Sequence, residues 1–293
     1  FLAILAGTIG GGVLVLSEGG PRWIGLTAVI WAVLGYLASL RVPALPPVAP
    51  DLRVSLSPFG PTLSILRITK KTRAVFLSVL GISWFWFFGA AFLTLLPTYA
   101  RNTLGAHEHV VTFLLAVFCV GIALGSLLCE KVSGKNLELG LVPFGSIGMT
   151  VFTLDLFLVG APAVRPELPL ALGAFLESPH ALRISFDLFA IALFGGFYTV
   201  PLYTLIQQRA EPSERSRVVA GNNILNALFM VVASGMLSWL FGMHVPVPQI
   251  FLVIAALNAL VAVYIYSLLP EFLLRFAAFL LSRSLYRLKL TGH

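Results

Sequence analysis

Of 293 residues, 58% are hydrophobic and 11% are charged, and the mean hydropathy is +0.96. Soluble domains carry about 25% charged residues, so this composition excludes an ordinary soluble domain and indicates an all-α polytopic membrane protein. The formal net charge of +7 reads as loop charge on one side of the membrane, not as a nucleic-acid footprint.

Apolar runs of about 17–25 residues can span a bilayer. In chain order they fall at 1–16, 23–40, 75–99, 110–129, 137–160, 184–205, 218–241 and 247–268, about eight in all. The first begins inside an apolar run with no Met, so a fragment of a longer chain is expected. Pro-rich or charged connections separate the runs. The longest, 41–73, holds PALPPVAP and then SPFGPTLSILRITKKTR. Its second half reads as an amphipathic turn or helix on the membrane surface.

Positive charge orients the spans. The 41–73 connection, the loop with Lys131 and Lys135, the loop with Arg209, Arg215 and Arg217, and the tail hold fifteen of the 19 Lys and Arg. Arg22, Arg101, Arg165 and Arg183 lie on the other side. Basic loops face the cytoplasm, which puts the C-terminus inside. The tail 270–293 reads as an interfacial helix with snorkelling Arg, or as the lead into a further domain.

The stretch 194–227 carries a Gly pair, a mid-run Pro201, then Gln207 and Gln208, a charged loop, and Gly221, Asn222, Asn223 and Asn226. Amides in an apolar run are costly unless they meet a partner or line a water-filled cavity. Asn222 and Asn226 are four apart and share a helix face. Gln207, Gln208 and the Arg loop stand at the cytoplasmic mouth, Asn222 and Asn223 about a turn into the membrane, and Asn226 one turn deeper. The third run holds SWFWFFGAAFLTLLPTYA. Its aromatics wrap the helix, so some face lipid; Trp84 and Trp86 either pack or face an apolar substrate.

Ionisable groups inside the runs are few. Asp155 stands near the outer end of its span, where it reaches outside water or joins a path; Asp187 stands near the outer start of the next. Both cysteines, Cys119 and Cys129, lie on one run roughly 15 Å apart, too far for a disulfide. Gly7 with Gly11, and Gly121 with Gly125, have spacings that permit close helix crossing. No Walker loop, His-based relay or Cys/His metal cluster is present, so no catalytic residue, metal or cofactor is expected.

GSLLCEKVSGK, with Gly125, Glu130, Lys131 and Lys135, resembles the second-half loop motif of the major facilitator superfamily. GGFYTVPLYTLIQQR followed by VVAGNNI resembles the tenth and eleventh spans of that superfamily's lysophospholipid transporter family. AILAGTIGGGVL resembles the fifth span and SWFWFFGAAFLTLLPTYA the seventh. Single-domain members carry a charged residue in the seventh span and an acidic one in the eleventh. Residues 76–96 and 218–240 carry none, so that charged headgroup site is not carried over, while Gln207, Gln208, Gly221 and Asn222 match. LYRLKLTGH in the tail resembles the start of a 1-acylglycerol-3-phosphate type acyltransferase domain fused in some members.

The resemblance implies a major facilitator fold seen from its fifth span to its twelfth. Residues 1–40 would end the N-terminal half, 41–73 would link the halves, and 74–269 would form the C-terminal half. It implies movement of lysophospholipid across a bacterial inner membrane by alternating access. The partners would be membrane lipids, the lysophospholipid and a fused acyltransferase. The expected substrate path holds Asn222, Asn223, Asn226, Gln207, Gln208, Trp84, Trp86 and Asp155. Two other readings stand: a proton-coupled exporter of drugs or metabolites, and an inactive membrane scaffold for the acyltransferase.

Overall fold

The apolar runs fold as helices, the structure that satisfies its own backbone polar groups in lipid. The computed structural model describes residues 2–15, 17–43, 59–133, 138–160 and 169–268. The helices are α1 (Leu2–Val15), α2 (Gly20–Ser39), α3 (Phe59–Lys70), α4 (Arg73–Thr98), α5 (Glu108–Val132), α6 (Leu141–Val159), α7 (Leu172–Leu176), α8 (Ala181–Arg209), α9 (Arg215–Gly242) and α10 (Val247–Leu268). Among the described residues there are no strands, only an isolated bridge between Ala106 and Leu170. The protein is a polytopic helical membrane protein. Among the described residues, six helices, α2, α4, α5, α6, α8 and α9, are long and apolar enough to cross a bilayer, and α10 is apolar over Val247–Val263.

The expected spans and the helices coincide, with shifts at their ends. α8 continues through Pro201 to Arg209, so Gln207 and Gln208 lie in its last turn. α9 begins at Arg215, so Arg215 and Arg217 belong to a helix start and not to the loop. α4 runs on through Pro97 into a π-helical turn, Tyr99–Thr103. Proline lacks an N–H and disturbs the ladder around it.

α8 sits between α5 and α6, and glycines bring all three to backbone contact. A Cβ at Gly121 or Gly125 would overlap the carbonyl oxygens of Phe189 and Leu193, respectively. One at Gly196 would lie 2.6 Å from the Gly125 carbonyl carbon. On the other flank, a Cβ at Gly145 would lie 2.5 Å from the Tyr198 nitrogen. Small residues permit this approach where hydrophobic driving force between helices is weak. The expected crossing at Gly7 and Gly11 differs: a Cβ on either would meet nothing within 4 Å among the described residues. α1 meets α5 at Gly12 instead, where a Cβ would lie 2.5 Å from the Thr112 side chain. The two cysteines are free and buried.

α4 packs against α9, α8 and α10. Its aromatics therefore turn mostly inward, which narrows the expectation that some face lipid. Trp84, Phe85, Phe87 and Phe88 are buried, while Trp86 is 38% exposed. Phe92 stacks on Phe88, Phe118 and Phe251 at 4.7, 5.9 and 5.5 Å between centroids, joining α4, α5 and α10. Such pairs stabilise beyond the area they bury. α3 forms as the amphipathic sequence predicts, but it is docked on α9. Lys135 and the tail 270–293 lie outside the described residues.

Candidate functional site

The seam between α4 and α9 carries a polar cluster inside an apolar bundle. The i, i+4 spacing puts Asn222 and Asn226 on the face of α9 that meets α4, and both are buried. The Asn226 amide is assigned with its NH2 donating to Ser83 Oγ at 3.0 Å and to the Asn222 carbonyl at 3.1 Å. That orientation lets Asn226 Oδ1 accept from Trp86 Nε1 at 3.2 Å and from Asn222 Nδ2 at 3.0 Å; the alternative faces acceptors with an acceptor. Trp86 Nε1 also reaches the Tyr203 hydroxyl of α8 at 3.1 Å. Three helices thus meet at one junction.

Two features make the junction a candidate site. Asn222 Oδ1 is buried with no hydrogen-bond partner among the described residues. An orphaned buried acceptor is uncommon and calls for an explanation. Trp86 is the partly exposed ring of its run, so the cluster has an apolar, accessible edge. A hydroxyl or ammonium donor matches the free acceptor, and an alkyl chain matches the edge.

A second network is enclosed. Trp84 Nε1 donates to Asn258 Oδ1 at 2.8 Å, and Asn258 Nδ2 donates to the Ser146 carbonyl at 3.1 Å and to Thr150 Oγ1 at 2.8 Å. Trp84, Asn258 and Ser146 are all buried. This network locks α4, α6 and α10 together and places Trp84 away from the α4–α9 cluster.

A third group lies at the opposite end of α8 from Gln207. Asp155 of α6 accepts from Arg183 Nε at 2.9 Å and from Arg183 Nη2. Bidentate geometry of this kind is strong and directional. Asp187, one turn along α8 from Arg183, is 1% exposed, and its Oδ2 has no partner among the described residues.

The structure therefore brings Asn222, Asn226 and Trp86 together. Asn223 is exposed beside them, and Gln207 and Gln208 are exposed at the end of α8. Gly125 is a packing position against α8, while Glu130 and Lys131 are exposed. Sequence reasoning passed over Ser83, Tyr203 and Asn258. Asn258 carried the same signal as Asn222, an amide in an apolar run; the hydroxyls carried none, because Ser and Tyr are ordinary in membrane helices. Among the described residues, no group of three or more His, Cys, Asp and Glu could hold a metal.

The chain is 28% identical over 252 residues to the lysophospholipid transporter LplT of Klebsiella pneumoniae, covering 83% of this chain and 57% of that protein. It is 27% identical over 269 residues to the LplT of an Enterobacter species, covering 88% and 60%. It is 27% identical over 270 residues to the LplT of Escherichia coli O1:K1, again covering 88% and 60%. The chain thus spans less than two thirds of the length of these relatives. No protein-family model matches it, and no solved structure does.

Proposed function

We propose that the chain is the later part of a lysophospholipid transporter of the major facilitator superfamily. The observation that carries this is the α4–α9 junction, where buried amides with a free acceptor border an exposed indole. A lysolipid has one chain and a polar head, so its path needs an apolar wall with a polar stripe. The similarity to three proteins named as lysophospholipid transporters supports the same substrate class.

In this reading the end carrying Lys71, Arg209 and Arg215 faces the cytoplasm of a bacterial inner membrane, as the positive-inside rule requires. α1 and α2 end the N-terminal half, α3 lies in the linker, and α4 to α10 form most of the other half. Rocking of the halves moves the substrate between leaflets. The fused acyltransferase rests on the LYRLKLTGH resemblance in the tail. It would reacylate the lipid delivered inside.

The test is flux in vesicles. Full-length protein is reconstituted with fluorescent lysophospholipid, fluorescent diacyl phospholipid, or an apolar cationic dye. The proposal expects rapid leaflet exchange of the one-chain lipid alone. Exchange of the dye driven by a proton gradient, with no lysolipid movement, would favour an exporter and overturn the proposal.

A further inference from the structure

α3 does not rest beside the bundle as a free surface helix. Its last turn is fitted to α9. Thr69 is 0% exposed, and a Cβ at Gly221 would overlap Thr69 Oγ1 and lie 3.3 Å from Ile65 Cγ2. Only glycine at 221 admits Thr69 there. Just beyond, Lys71 Nζ pairs with Glu214 Oε1 at the start of α9. Lys70 Nζ lies 5.4 Å above the Phe76 ring and fixes the corner between α3 and α4. A crevice of about 40 Å³ remains between Thr72, Val75, Ala210 and Glu211. The residue after Gly221 is Asn222, so the docked turn adjoins the polar cluster on its basic side.

We propose that α3 is a detachable latch on the cytoplasmic end of the α4–α9 seam. Docked, its Thr69 turn holds the foot of α9 to α4 and seals Ser83, Asn222 and Asn226 from cytoplasmic water. Released, it frees α9 to move and opens the cluster to that side. Two contacts of unequal kind fit this role. The Thr69–Gly221 fit gives register. The Lys71–Glu214 pair, with side chains 61% and 19% exposed, is a weak solvated contact, so the latch is not locked. The inference rests on the transporter reading for its meaning, but its test needs no substrate.

The test uses full-length protein in proteoliposomes with Cys119 and Cys129 replaced by Ala and Ser83→Cys as the reporter. An impermeant maleimide is applied on the α3 side. Gly221→Ala, which displaces Thr69, is expected to raise the labelling rate about fivefold or more, the effect of roughly 1 kcal/mol on a two-state equilibrium. Thr69→Ala added to Gly221→Ala removes the overlap and is expected to restore protection. Lys71→Glu is expected to raise labelling less, and the swap with Glu214→Lys to reverse it; this pair decides the matter where Gly221→Ala fails to fold. Spin labels at Leu63→Cys and Val219→Cys report docking directly. Unchanged labelling while the spin labels show α3 displaced would overturn the latch, as would labelling that neither compensating change reverses. Absent lysolipid flux with labelling that follows docking would overturn the transporter reading and leave the latch standing.

Discussion

Ser83 of α4 and Asn226 of α9 lie 3.0 Å apart and are both buried. They are 143 positions apart in sequence, and their contact fixes the rotation of two helices about one another. The Asn226 amide also engages Asn222 and Trp86. Asn226→Leu therefore strands Ser83 and the Asn222 side-chain amide, while Trp86 keeps the Tyr203 hydroxyl. Leaving a buried polar group unpaired costs about 1–3 kcal/mol, whereas interhelical hydrogen bonds in membranes average about 0.6 kcal/mol. The expected loss in thermal-unfolding stability is about 1 kcal/mol, and a Ser83→Ala/Asn226→Leu cycle should show coupling of about 0.6 kcal/mol.

The enclosed Asn258 network predicts a different pattern. Trp84→Phe keeps the stacking on Phe87, with centroids 4.7 Å apart, and loses one hydrogen bond. It should cost about 1 kcal/mol and leave lysolipid flux near wild type. Asn258→Leu strands the indole N–H and should cost more, about 2 kcal/mol. Stability and flux measured on both variants separate this structural network from the α4–α9 cluster.

Gly125 predicts a steric effect. Its α8 neighbour is backbone, the Leu193 carbonyl, which cannot swing aside. Gly125→Ala should destabilise by about 1–3 kcal/mol or more, despite alanine's better helix propensity. Gly7→Ala, with nothing within 4 Å among the described residues, should be neutral within about 0.5 kcal/mol. Melting temperatures of the two variants of this chain in detergent check the contrast.

The Asp155–Arg183 pair distinguishes two functional readings. Its side chains are 32% and 48% exposed, so the pair contributes at most about 1 kcal/mol. Asp155→Asn also frees Arg183 to approach Asp187. With the lipid path placed at the α4–α9 cluster and Asp155 held by Arg183 apart from it, lipid transport should show near-normal flux and a small stability change. A proton-coupled exporter expects abolished transport.

The sequence carried the spans because each is a long apolar run, and a lipid-crossing run has one backbone solution. It also carried the shared face of Asn222 and Asn226, since i, i+4 neighbours on a helix are fixed by its pitch. It did not carry the partners. Ser83, Tyr203 and Asn258 acquire meaning only once α4, α8, α9 and α10 are placed side by side. The same limit explains Gly7 and Gly11: spacing permits close approach, but the neighbour decides where it occurs, here at Gly12. The inward turn of the α4 aromatics likewise follows from α8, α9 and α10 surrounding that helix.

The measurement that bears most directly on the central claim is lysolipid flux through Asn222→Leu/Asn226→Leu. Both amides are replaced in full-length protein in vesicles, folding is verified by thermal unfolding, and leaflet exchange of fluorescent lysophospholipid is followed. Exchange is expected to fall to the protein-free rate while the protein remains folded. Exchange at the wild-type rate would contradict that claim.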